Sequence, residues 1–150
     1  MAQSLSDVYI HLTFSTYLRR LYLDAESRSL IFPYVVTILK NLRAPVLQIG
    51  GADEHIHILF RLPKDARLMD LIRIVKSDAT KFLKTKGVKH QNFGWQAGYC
   101  ALSVSPRSID TVIRYISNQE KHHRTESYQD EVLRMLRESN TDFDERYLWD

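Results

Sequence analysis

The chain has 150 residues, 44% hydrophobic and 26% charged, which suits one globular domain (1–150) with one core. No run of about 18 apolar residues is present, the N-terminal MAQSLSDVYIHLTF lacks the basic start and long apolar core of a signal peptide, and Cys100 is the single cysteine; no transmembrane helix, signal peptide or internal disulfide framework is expected, and a cytoplasmic protein without membrane contact is expected. Net charge is +3 but uneven: residues 1–124 carry 18 Lys+Arg against 10 Asp+Glu and residues 125–150 carry 3 against 8, so a basic body precedes an acidic tail, fitting either a nucleic-acid partner or a solvated lysine-rich surface.

The elements follow in chain order. VYIHLTF (8–14) alternates as a strand does. Asp24 caps a helix through ESRSLIFPYVVTILKNLR, and Pro33 inside it predicts a kink or restart. APVLQIGG (44–51) reads as a strand ending in a Gly-Gly turn, and EHIHILFRL (54–62) as its hairpin partner. Leu68, Leu71, Ile72, Val75, Ala79 and Phe82 recur every three or four residues and predict a helix. Its polar face carries Arg73, Lys76 and Lys81, and residues 61–89 hold nine Lys+Arg against three Asp+Glu, a stripe able to follow phosphates. GWQAGYCALSVS (94–105) reads as a strand. Its Trp95 and Tyr99 suit base stacking or ordinary sheet packing equally. Ser105 and Pro106 start a helix reaching about His122, and another covers roughly 127–139. The order β-α-β-β-α-β is the α+β, ferredoxin-like arrangement: an antiparallel sheet with helices on one face, C-terminal helices added, and an open second face.

Strand alternation puts His55 and His57 on one face, with Ile56, Ile58 and Phe60 on the other. The histidines therefore point away from the helices, one pleat apart, where two neutral imidazoles can share a cation or simply meet water. A cation needs a further ligand. In SIDTVIRYISNQEKHH (108–123), Ile109, Val112, Ile113 and Ile116 form the buried stripe, and Tyr115 lies about 110° from its centre. Gln119 follows one turn on along the same edge, with an amide oxygen able to bind a cation.

HLTFSTYLRR (11–20), the Gly-Gly before EHIHILF, FGWQAGYCALSVS (93–105) and YISNQEKHH (115–123) resemble the single-tyrosine HUH transposases of insertion sequences and the REP-associated tyrosine transposases. The resemblance spans nearly the whole chain. It implies that His55 and His57 bind the metal with Gln119 as third ligand, and that Tyr115 is the nucleophile. It further implies Mg2+ or Mn2+ as the ion and single-stranded DNA with hairpins as substrate. The implied reaction is metal-assisted cleavage and rejoining through a 5′-phosphotyrosine, carried out by a homodimer in which Tyr115 serves its own or the neighbouring subunit. His122 and His123 receive no catalytic role. A non-catalytic single-stranded nucleic-acid-binding module, or a metal-dependent hydrolase without a covalent step, are the other readings of these residues.

Overall fold

The computed structural model describes residues 2–150. Four strands, β1 (Val8–Ser15), β2 (Val46–Ala52), β3 (His55–Leu62) and β4 (Cys100–Val104), form an antiparallel sheet in the order β2-β3-β1-β4. With α1 (Ala25–Asn41) and α2 (Leu68–Lys84) this is the expected split βαβ topology. α3 (Ile109–Ser117), α4 (Gln119–His123) and α5 (Tyr128–Glu138) follow β4.

The core lies between the sheet and α1 and α2. Ile10, Leu12 and Phe14 of β1 and Ile56, Ile58 and Phe60 of β3 alternate inward and pack on Ile31, Val35, Leu71, Val75 and Ala79. Each of these buried side chains larger than Ala79 contributes about 1.5–3 kcal/mol. Asp24 caps α1 as expected, accepting the Ser27 N–H at 2.9 Å. Pro33 neither kinks α1 into two nor restarts it: the helix runs unbroken from 25 to 41. Pro33 and Ser29, whose carbonyl loses its N–H donor to the proline ring, both lie on the exposed side, where water can serve that carbonyl.

Two further differences bear on the site. The Gly-Gly pair is not a turn. Gly50 and Gly51 lie inside β2, opposite His57 and Ile56, and Asp53–Glu54 make the turn. A Cβ on Gly50 would collide with the backbone oxygen of Ile116, so glycine is what lets α3 cross directly over β2. The second sheet face is also not open. α3 crosses over β2 and β3, while Tyr128, Val132 and Leu136 of α5 pack on Cys100 with Leu148 and Trp149. His11, His55 and His57 are consequently buried rather than facing solvent. The strand expected over 94–105 begins only at Cys100, the preceding segment contributing an isolated bridge from Trp95 to Thr16. The helix expected from 106 to 122 starts at the Ser105 cap and Pro106 as a 3-10 turn and breaks at Asn118, between α3 and α4.

Candidate active site

β3 presents His55 and His57 side by side, and Ile116, buried against Gly50, seats α3 over them. Tyr115 and Gln119 flank that anchor, so all four residues meet within one copy of the chain. The rings of His57 and Tyr115 are 5.8 Å apart, centroid to centroid. Gln119 Oε1 is 2.8 Å from His55 Nε2. Both histidines and Gln119 are fully buried.

The centre of the cluster is Glu131 of α5, which sequence reasoning passed over. Its Oε1 accepts from His57 Nε2 at 2.9 Å and lies 3.7 Å from His55 Nε2. Its Oε2 accepts from the Tyr115 hydroxyl and, at 3.1 Å, from the Gln119 amide N–H. Burial alone would raise Glu131, but the hydrogen bonds from His57 and Tyr115 hold it well below the usual carboxylate range, so it is ionised. Burial pushes the Tyr115 phenol well up, and the Glu131 charge adds to this, while Arg134 and Gln119 pull the other way. Arg134 Nη2 donates to the Tyr115 oxygen at 3.0 Å. The signal for Glu131 lay in α5 itself: Tyr128, Val132, Met135 and Leu136 form a buried stripe, and Glu131 is an acid set on that apolar face.

Each histidine is oriented from behind. His55 Nδ1–H donates to Glu54, and the ring stacks on Tyr128 with centroids 4.5 Å apart. His57 Nδ1 shares a hydrogen bond of 2.8 Å with His11 Nε2. Burial, and then the adjacent His57, push His11 down to about 3, so it is neutral and can accept as well as donate. His123 joins the rim through Glu54 at 3.1 Å, and His122 through Glu126 at 2.8 Å.

The donor set suits a cation. Glu54 occupies the His55 Nδ1 proton and Glu131 occupies the Gln119 amide protons, so His55 Nε2 and Gln119 Oε1 present lone pairs to each other at 2.8 Å. Such a pair is satisfied by a proton or a metal ion between them. His55, His57 and Glu131 can each offer one ligand atom, all within 4.8 Å of one another. Two imidazoles, one amide oxygen and one carboxylate fit Mn2+ by ligand type, and Mg2+ once phosphate oxygens are added.

The basic stripe divides in two. Lys76 turns inward, its Nζ donating to the carbonyls of Gln96 at 2.9 Å and Gly98 at 2.6 Å over the Phe14 ring; burial pushes it down to about 8. It fastens a loop rather than offering itself to phosphate. Trp95 packs edge-on against Phe14 and Phe93 and donates to the Lys76 carbonyl, the packing alternative of the two readings. Arg73, Lys81 and the 41%-exposed Tyr99 line a cleft of about 620 Å³ beside it.

Residues 4–119 match the family described as "Transposase IS200 like". No curated protein matches the chain. Several solved structures share the fold, among them two transposases. One is a Deinococcus radiodurans R1 protein assigned as a transposase, with TM-score 0.63 and 18% identity, covering 79% of this chain and 98% of its own. The other is a REP-associated tyrosine transposase bound to a REP hairpin, with TM-score 0.62 and 16% identity, covering 82% of this chain and 72% of its own. Among the described residues, no helix is long and apolar enough to cross a membrane.

Proposed function

The chain belongs to the IS200-like transposase family, and from that premise we propose that it cleaves and rejoins single-stranded DNA beside hairpins through a covalent Tyr115–phosphate bond. One observation carries the proposal: the Tyr115 phenol, the His55 and His57 imidazoles and the Gln119 amide converge on a single ionised carboxylate, Glu131. A non-catalytic binding module has no need of that convergence.

His55 Nε2, His57 Nε2 and Gln119 Oε1 would hold Mg2+ or Mn2+, with Glu131 Oε1 available as a fourth, anionic ligand. Once bound, a divalent ion would supply charge compensation for the phosphoryl oxygens during in-line attack. Glu54 and His11 fix the ring orientations that aim both Nε2 atoms at it. The Tyr115 oxygen attacks phosphorus, forming the tyrosyl ester and breaking the bond to the 3′ oxygen, which takes a proton from water and leaves as a 3′-hydroxyl. The phenolic proton passes to Glu131 Oε2, already its hydrogen-bond partner. Because one phosphodiester is exchanged for another, the step runs backwards when a 3′-hydroxyl attacks the tyrosyl ester, and no ATP is consumed.

Hairpin DNA is the substrate class proposed here, and the hairpin held by the REP-associated neighbour supports it. The exposed Arg73 and Lys81 supply phosphate contacts. In a homodimer acting on cytoplasmic DNA, each copy would bring Tyr115 to its own histidines, and the pairing of copies would align two strand ends. The test is incubation of the purified chain with end-labelled single-stranded hairpin DNA and Mn2+. Cleavage leaving a free 3′-hydroxyl, lost on chelation and in Tyr115→Phe, supports the proposal. Cleavage retained by Tyr115→Phe overturns it.

A further inference from the structure

α5 lies wholly beyond residue 119, where the family match ends, yet it brings a second charged group to the nucleophile. Arg134 Nη2 is 3.0 Å from the Tyr115 oxygen, and its guanidinium carbon sits 5.7 Å from the centre of the Tyr115 ring. Glu126 holds the guanidinium in plane, accepting from Nε at 3.1 and 3.2 Å and from Nη2 at 3.0 Å. The remaining edge is loosely held. Among the described residues Nη1 reaches only Glu138, at 3.4–3.5 Å, and the Glu138 side chain is 65% exposed. Arg134 and Tyr115 together line a cleft of about 510 Å³, shared with His11, Ser103, Ser105 and Ser108.

We propose that Arg134 is a catalytic residue of the strand-transfer reaction: it donates to the Tyr115 oxygen as the phenolic proton leaves, and its Nη1 edge exchanges Glu138 for an oxygen of the scissile phosphate. The inference rests on the reading of Tyr115 as nucleophile.

Three considerations support it. The Tyr115 oxygen lies against the Glu131 carboxylate, and Arg134 Nη2, 3.0 Å away, brings a cation into contact with that oxygen. A guanidinium stays charged at every working pH, so it offsets phenolate charge without exchanging a proton itself. Its planar fork can also span two acceptors, here the attacking oxygen and a phosphoryl oxygen, as a lysine ammonium on the same stem does not. The step balances: the Tyr115 oxygen–phosphorus bond forms, the bond to the 3′ oxygen breaks, the phenolic proton goes to Glu131, the leaving oxygen takes a proton from water, and Arg134 keeps all of its own.

The experiment uses the full chain with Mn2+ and a pool of single-stranded hairpin oligonucleotides with randomised flanks. It measures single-turnover formation of the denaturant-resistant adduct. Arg134→Gln is expected to slow adduct formation by about 100-fold or more, the scale for a lost donor to developing charge, with Mn2+ affinity unchanged. Arg134→Ala is expected to regain rate when millimolar guanidinium is added, which a purely structural role of the Glu126 pair would not allow. Arg134→Lys keeps the ion pair and the fold and is expected to remain slow. Wild-type adduct with Arg134→Gln or Arg134→Lys equally fast, or Arg134→Ala insensitive to guanidinium, overturns the inference while leaving Tyr115 as nucleophile. No wild-type adduct from the pool removes the reading of Tyr115, and Arg134 with it.

Discussion

Gly50→Ala isolates the link between fold and chemistry. The added methyl would occupy the space of the Ile116 backbone oxygen, and it would also meet Ile116 Cγ2 at 3.1 Å and the Ile116 carbonyl carbon at 3.2 Å. The obstacle is main chain, so no side-chain rotation relieves it, and α3 must lift from β2. Restoring ordinary contact requires a displacement of about 1 Å, and a misplacement of that size costs on the order of 100-fold in rate. The same overpacking destabilises by ~1–3 kcal/mol, or about 3–10 °C in Tm for a chain of this length. Tyr115 and Gln119 flank Ile116 and move with it, whereas His55 and His57 on β3 stay. Adduct formation should therefore fall about 100-fold while the protein remains folded well above the assay temperature. Gly94→Ala, where an added Cβ meets only Tyr17 Cβ at 3.8 Å, serves as the silent control. A Gly50→Ala protein that reacts at the wild-type rate would refute the argument that this close approach sets the site.

Other outcomes follow from single residues. Glu131→Gln keeps the shape but removes the anion, and Mn2+ affinity by calorimetry should weaken by about tenfold or more; unchanged affinity would take Glu131 out of the metal shell. Lys76→Gln should leave the salt dependence of DNA binding unchanged, because its ammonium is held by carbonyls, while Arg73→Gln lowers the slope by about one. Equal slopes for both variants would contradict that division. Burial pushes the Cys100 thiol up to about 11. The native state therefore keeps a proton that the unfolded chain loses above its ordinary value near 8.5, so stability should decline as pH rises from about 8.5 to 11, and Cys100→Ala should flatten that decline. The native thiol should also resist alkylation at pH 8, and rapid labelling without unfolding would contradict its burial.

The parts of the site carried by short-range pattern were legible in the sequence. A period of two fixed His55 and His57 on one face, and a helical turn put Tyr115 and Gln119 on one edge, although α3 ends at Asn118 between them. The ferredoxin-like order followed from the same periodicities. What depends on distant packing was hidden. Gly50 and Gly51 carry the signature of a turn, and only the arrival of α3 explains them. An exposed proline in α1 carries the signature of a break, and only its solvent-facing position explains why none occurs. The ferredoxin-like order puts α1 and α2 on one face and so predicts an open second face, yet Tyr128, Glu131 and Arg134 of α5 close the site. Lys76 shares its helix with the exposed Arg73 and Lys81, and nothing local marks it as the one tied to the loop at Gln96–Gly98.

The most direct measurement is peptide mapping by mass spectrometry of the chain after reaction with single-stranded hairpin DNA and Mn2+. The account predicts a nucleotide-bearing peptide modified at Tyr115, absent from Tyr115→Phe and from chelated samples. DNA cut without any covalent peptide, or with the modification on one of the other seven tyrosines, would contradict it.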